Sequence, residues 1–262
     1  MIAQMRPAAN VTMLYADRPL SERLVAAAAD GFAGVEILFP YDVDLDEVAR
    51  LLGRHDLQHV LVNTPLGPEG EPGLAAVVGR EGEFRRGFEQ ALSVTATTGC
   101  RSIHTMAGRP SANSSSAWMD TLLTNLRWAA TRAGDAGVTV TLEALNHHDV
   151  PGYAYAQPSQ ALAVVQAVDH PAVRLQFDLY HSAREGLDLV AELDRARPFI
   201  HHVQIAGTPD RHEPDPADTA LFASVRHLVA SGYEGWLGFE YHPRGDTSAG
   251  LAWRAALPPL TP

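Results

Sequence analysis

Four apolar runs in the second half of the chain each finish on an oxygen-bearing polar residue. They are Val138-Thr-Val-Thr-Leu-Glu143, Val173-Arg-Leu-Gln-Phe-Asp178, Ile200-His-His-Val-Gln204 and Trp236-Leu-Gly-Phe-Glu240. Glu143, Asp178, Gln204 and Glu240 are separated by 35, 26 and 36 positions, and each gap is long enough for one helix and two loops. Short runs rich in β-branched and aromatic residues at this spacing read as strands. Parallel pairing requires a crossover of that length between them. Three carboxylates and an amide at successive strand ends then converge on one point. In a closed parallel barrel this point is the C-terminal face, where active sites sit.

The first half of the chain alternates in the same way. Strands are predicted at 8–14, 34–39, 59–63 and 101–106. A first helix is predicted from an N-cap at Ser21 to a stop at Gly31, and a second from a cap at Asp44 to Gly53. Phe84, Phe88, Ala91 and Leu92 form one stripe of a long helix over 81–98, closed by Gly99. Further helices are expected at 117–136, 159–168, 187–196, 218–230 and 247–257, the last followed by a Pro-rich tail. Residues 64–73 and 108–116 are turn-rich loops, and with the loop after strand seven they are the longest. Eight strand–helix units in 262 residues match the length typical of a single (β/α)8 TIM barrel, here spanning residues 1–262. No Gly-rich phosphate turn follows the first strand, which argues against a dinucleotide-binding sheet.

The formal net charge is −11, and the twenty Lys and Arg residues are scattered. Such a surface repels phosphate backbones, so no nucleic-acid partner is expected. Cys100 is the single cysteine, which excludes a disulfide within the chain and fits a reducing cytoplasm. The first residues lack the apolar core of a signal peptide, and no run of 18 apolar residues occurs. The expected localisation is cytoplasmic, with no membrane partner. A homo-oligomer is compatible with these features.

Carboxylates buried at strand ends are costly unless something pairs with them. Several together stay ionised only around a cation, and oxygen donors without thiolate favour Mg²⁺ or Mn²⁺ over zinc. The alternative is that each residue separately caps a strand or pairs with an arginine.

Motifs along most of the chain resemble those of the hydroxypyruvate isomerase family, within the xylose-isomerase-like barrels. They are Gly34-Val-Glu-Ile-Leu-Phe-Pro-Tyr-Asp42, Gly79-Arg-Glu-Gly-Glu-Phe-Arg85, Glu143-Ala-Leu-Asn-His147 with Pro151-Gly152, Gln176-Phe-Asp-Leu-Tyr-His181, His202-Val-Gln-Ile-Ala206 and Gly238-Phe-Glu-Tyr241. The resemblance implies that Glu143, Asp178, Gln204 and Glu240 hold one divalent ion, and that Glu143 and Glu240 donate and accept the proton. It implies a small 2-oxo acid or keto-sugar substrate, with His181 facing it from the loop after strand six. It also places Arg211 over the mouth, followed by Glu213. The chain departs from the family pattern in the substrate loop, where Asp215-Pro-Ala-Asp-Thr219 replaces Gly-Thr-Gly-Glu and Gly207 replaces an aspartate.

Arg80 and His104 are further candidates for a substrate carboxylate. Arg80 reads equally as a surface residue, and His104 as a satisfied core histidine. Glu36 is a candidate support for the ligand set. His202 shares the inward side of its strand with Gln204, and His201 does not. Trp128, Trp236, Trp253, Met13 and Met106 read as packing residues.

The expected reaction interconverts hydroxypyruvate and 2-hydroxy-3-oxopropanoate (tartronate semialdehyde) by proton transfer through an enediolate. A 2-oxo-tetronate isomerase or a ketose isomerase or epimerase would use the same metal and glutamate pair. Two other classes are a zinc-dependent DNA-repair endonuclease, disfavoured by charge and ligand type, and an inactive binding barrel.

Overall fold

The structure is a computed structural model that describes residues 5–111 and 116–259. Eight strands, β1 (Arg6–Asn10), β2 (Gly34–Glu36), β3 (Gln58–Asn63), β4 (Ser102–His104), β5 (Thr139–Glu143), β6 (Val173–Asp178), β7 (Ile200–Ile205) and β8 (Trp236–Phe239), follow one another around a closed barrel. Neighbouring strands are parallel throughout, and β8 returns to β1 through the register Arg6 to Trp236. Outside run α1 (Leu20–Ala29), α2 (Leu45–Arg54), α3 (Glu81–Thr98), α4 (Ala117–Asp135), α5 (Pro158–Val168), α6 (Leu179–Arg184), α7 (Leu189–Ala196), α8 (Thr219–Ala230) and α9 (Thr247–Gly250). This is the expected (β/α)8 barrel. No helix among the described residues is long and apolar enough to cross a membrane.

Local chemistry sets most element ends. Asp44 caps α2 by accepting from the Asp46 and Glu47 N–H groups. Asp188 does the same for α7 with Val190 and Ala191, and Asp218 caps α8 at Leu221. Gly99 closes α3 at φ 75°, a left-handed conformation that favours glycine. The α3 stripe is buried as expected, with Trp128 edge-on to Phe84 and Phe88. Trp253 packs against Phe239, and Met106 is buried.

The structure differs from expectation at several boundaries. β1 ends at Asn10 rather than at 14, because the Asn10 side chain accepts from the Thr12 N–H and turns the chain. Met13 therefore lies in a turn. β2 stops at Glu36, ahead of the turn that begins at Pro40. β4 covers Ser102–His104, shorter than 101–106. Ser21 is not a cap: α1 starts one residue earlier, after the extended Pro19. Residues 247–257 form one helical turn and then a 3-10 segment rather than a full helix. The loop expected at 108–116 and the Pro-rich tail extend into positions outside the described residues.

Candidate active site

The strand ends bring four buried side chains to the C-terminal face of the barrel. Glu143 and Asp178 are the last residues of β5 and β6, Gln204 lies one before the end of β7, and Glu240 directly follows β8. In the ladder Asp178 stands beside Gln204. All four are under 7% exposed.

Each is held by specific partners. Glu143 Oε2 accepts from Gln176 Nε2 at 2.9 Å, while Glu143 Oε1 is buried with no hydrogen-bond partner. Asp178 Oδ1 accepts from the Tyr180 N–H at 2.7 Å and caps α6. Gln204 accepts from Gln176 through Oε1 at 2.7 Å and donates to Glu36 through Nε2 at 2.8 Å. Glu240 Oε2 accepts from Arg211 at 2.8 Å, and the same guanidinium nitrogen lies 3.3 Å from Asp178 Oδ2.

Arg211 thus reaches into the mouth from the loop after β7. Its backbone takes a left-handed φ of 55°, strained for a non-glycine residue, and its guanidinium lies 5.1 Å from the Tyr180 ring centroid. Tyr180 is fixed in turn by its hydroxyl, which donates to Asp149 at 2.7 Å.

His181 lies in α6 rather than in a loop. Its Nδ1 accepts from the backbone N–H of Asn146 at 3.2 Å, so the ring proton belongs on Nε2. Nε2 is buried without a hydrogen-bond partner, 3.6 Å from Asp178 Oδ2 and 3.8 Å from Glu143 Oε1. Glu143, Asp178 and His181 do present ligand-type atoms within 4.8 Å of one another. The tautomer nevertheless makes His181 a donor to an oxygen rather than a metal ligand. His104 enters the same cluster, with Nδ1 3.3 Å from Glu143 Oε2.

The electrostatics follow from burial. Burial and the neighbouring Glu240 and Asp178 hold the Glu143 carboxyl well above its ordinary range. Burial raises Glu240 to about 8 although Arg211 opposes the shift, and Asp178 is raised in the same way. Burial depresses His181 and brings His104 to about 3, so both rings are neutral. Burial opposes the charge on Arg211, but Glu240, Asp178 and Glu143 outweigh it and keep the guanidinium cationic.

Arg80 and Glu213 do not join this group. Arg80 forms ion pairs with Glu71 at 2.6 Å and Glu83 at 2.7 Å at the start of α3. Glu213 accepts from the Arg244 backbone N–H at 3.0 Å. Glu36 is wholly buried and lies 2.6 Å from His202 Nε2. Gln176 and Asn146 were not singled out from the sequence as site residues. The readable signal for Gln176 was its position two before Asp178, on the same side of the strand.

The donor set suits a hard divalent cation. It consists of three buried carboxylates and one amide oxygen, one carboxylate oxygen has no partner, and the only thiol, Cys100, is buried and donates to the Ser102 carbonyl.

Residues 24–257 match the family model for the xylose isomerase-like TIM barrel. A 2-oxo-tetronate isomerase from Cupriavidus necator is 40% identical over 251 residues, covering 95% of this chain and 96% of that protein. The hydroxypyruvate isomerase of Escherichia coli is 35% identical over 252 residues, covering 95% and 98%. A crystal structure described as AP endonuclease, family 2, from Brucella melitensis superposes with a TM-score of 0.92 at 42% identity, covering 96% of this chain and 98% of that one. The chain belongs to the xylose isomerase-like TIM barrel family and aligns over nearly its full length with isomerases of that family.

Proposed function

We propose that this protein is a metal-dependent isomerase of small 2-oxo acids, interconverting hydroxypyruvate and 2-hydroxy-3-oxopropanoate. The observation that carries this reading is the burial of Glu143, Asp178, Gln204 and Glu240 at neighbouring strand ends, with ligand-type atoms of Glu143 and Asp178 within 4.8 Å of each other and the cationic Arg211 bonded to Asp178 and Glu240. The four side chains would hold one divalent ion, Mg²⁺ or Mn²⁺. When bound, that ion would polarise the substrate's carbonyl and hydroxyl oxygens and make the adjacent C–H bond more acidic.

The protein's own groups account for the rest. Glu143, with Oε1 free of partners, removes the proton from the carbon next to the carbonyl. Glu240 returns a proton to the neighbouring carbon while the hydroxyl proton passes between the two adjacent enediolate oxygens, so that the old hydroxyl becomes the carbonyl and the old carbonyl the hydroxyl; the roles exchange in the reverse direction. Two carboxyls raised toward neutrality suit this work, since a general acid or base is most effective when its pKa lies near the working pH. His181 donates from Nε2 to the oxygen that gains charge in the enediolate, and its neutral ring adds no proton of its own to the exchange. Arg211 clamps the substrate carboxylate. Burial of the cluster keeps bulk water from the reacting carbon.

A second reading is 2-oxo-tetronate isomerisation, favoured by the 40% identity to the Cupriavidus enzyme. It uses the same groups on a substrate one carbon longer. Endonuclease chemistry, named for the Brucella relative, fits less well: the net charge is −11, and the set of three carboxylates and an amide is not zinc-like. The test is a panel of hydroxypyruvate, 2-oxo-tetronates and free ketoses with Mg²⁺ in D₂O, read by NMR. Turnover with deuterium incorporation in a 2-oxo acid is expected. Turnover of the ketoses alone would refute the acid assignment.

A further inference from the structure

Two positions before each of the four strand-end residues stand Thr141, Gln176, His202 and Gly238. The period of a strand puts them on the same inward side, one layer deeper in the barrel. Such layers are ordinarily filled by branched aliphatic side chains. Here Thr141, Gln176 and His202 are all buried, and Glu36 and Asn10 join them in one connected network. Thr141 Oγ1 donates to Gln176 Oε1 at 3.0 Å. Both Gln176 N–H bonds are used, toward Glu143 Oε2 at 2.9 Å and Gln204 Oε1 at 2.7 Å. Gln204 Nε2 donates to Glu36 Oε2 at 2.8 Å, which also accepts from Asn10 at 3.0 Å, and Glu36 Oε1 lies 2.6 Å from His202 Nε2. Gly238 supplies the space, since a Cβ there would sit 1.8 Å from Glu36 Oε1.

We propose that this polar layer positions the ligand set, with Gln176 as its central residue. The proposal rests on the metal reading above. The directions of the hydrogen bonds leave each amide one orientation. A flipped Gln204 would turn its oxygen on the Glu36 carboxylate and its N–H bonds on those of Gln176. A flipped Gln176 would turn its oxygen on Glu143 and Gln204. The layer therefore fixes which end of the Gln204 amide is oxygen, with one lone pair on Gln176 and one left for the cation. It also holds Glu143 by Oε2, so that Oε1 is the oxygen presented to the cation and the substrate. None of these positioning residues has to touch the substrate.

The test is Mn²⁺ titration by calorimetry on the wild type and on Gln176→Met, Thr141→Val and Thr141→Ser, with kcat and KM on one substrate and melting in excess chelator. Gln176→Met keeps the volume and removes the donors. It is expected to weaken Mn²⁺ binding about 10–100-fold, the usual effect of losing a group that orients a ligand, and to lower kcat more than it raises KM. Thr141→Val is expected to move the same way, and Thr141→Ser, which keeps the hydroxyl, to restore wild-type binding. Thr141→Val is close to threonine in volume and removes only the hydroxyl, so it serves as the test even if Gln176→Met fails to fold. Wild-type Mn²⁺ affinity and kcat in Thr141→Val, or in a folded Gln176→Met, would overturn the proposal. Failure of the wild type itself to bind Mn²⁺ would overturn the metal reading, and the positioning role with it.

Discussion

Replacing Glu143 by glutamine tests the proton-transfer step with little change of shape. The magnitude follows from how the carboxylate is held. Gln176 Nε2 donates to Glu143 Oε2, so an amide at 143 keeps that bond only by placing its own oxygen there. Its NH₂ group then occupies the position of Oε1, the atom without a hydrogen-bond partner in a pocket where His181 Nε2 lies 3.8 Å away. The variant thus loses the base and points a donor at a place that needs an acceptor. Loss of a positioned base costs about 10²–10⁴-fold, or ~3–5 kcal/mol of barrier. The assay is deuterium incorporation from D₂O into the substrate by NMR, with kcat measured in parallel. Both should fall by at least about a hundredfold, while metal-free Glu143→Gln melts no lower than the wild type, because one of several crowded buried carboxylates is gone. Exchange within tenfold of wild type would refute the assignment of Glu143 as a proton carrier.

Two further outcomes follow. Arg211→Met should lower kcat/KM for 2-oxo acids about 10–150-fold, from the ~1.5–3 kcal/mol carried by a charged hydrogen bond; an unchanged value would remove Arg211 from substrate recognition. The metal-free protein should lose stability as pH rises. Glu240 binds its proton up to about 8 when folded but only to the ordinary carboxylate value of 4.5 when unfolded, and Glu143 and Asp178 are shifted the same way. Between those values the native state holds more protons, so unfolding free energy falls with pH through that window and levels off above it. Melting curves from pH 4.5 to 9 in chelator measure this, and a midpoint that rises across the window would contradict the burial argument.

The barrel and the polar residues at its strand ends were legible because both depend on short-range pattern. Apolar runs mark strands, and Glu143, Asp178, Gln204 and Glu240 are the residues on which four of those runs stop. The helix carrying His181 was not legible, since Leu179–Arg184 is too short to develop a helical period and starts on a strand-end aspartate that is also its cap. Arg80 and Glu213 match family motifs, and the partners the structure gives them lie outside the Glu143 cluster. Their partners are Glu71, Glu83 and Arg244, and a motif does not say which of several nearby opposite charges a long side chain will meet. The Glu83 pairing alone was readable, as a three-residue spacing at a helix start. Gln176 lies inside one of the family motifs, yet its hydrogen bonds to Thr141, Glu143 and Gln204 emerge only when the inward side chains are traced across β5, β6 and β7.

The central claim is that four strand-end side chains hold one divalent cation that the reaction requires. Calorimetric titration of chelator-treated protein with Mn²⁺, followed by an activity assay on the same sample, tests it most directly. The account predicts one ion per chain, no turnover before titration, recovery of turnover in step with occupancy, and loss of the binding isotherm when Glu143 and Glu240 are both changed to glutamine. Full turnover in excess chelator, or unchanged Mn²⁺ binding in that double variant, would contradict it.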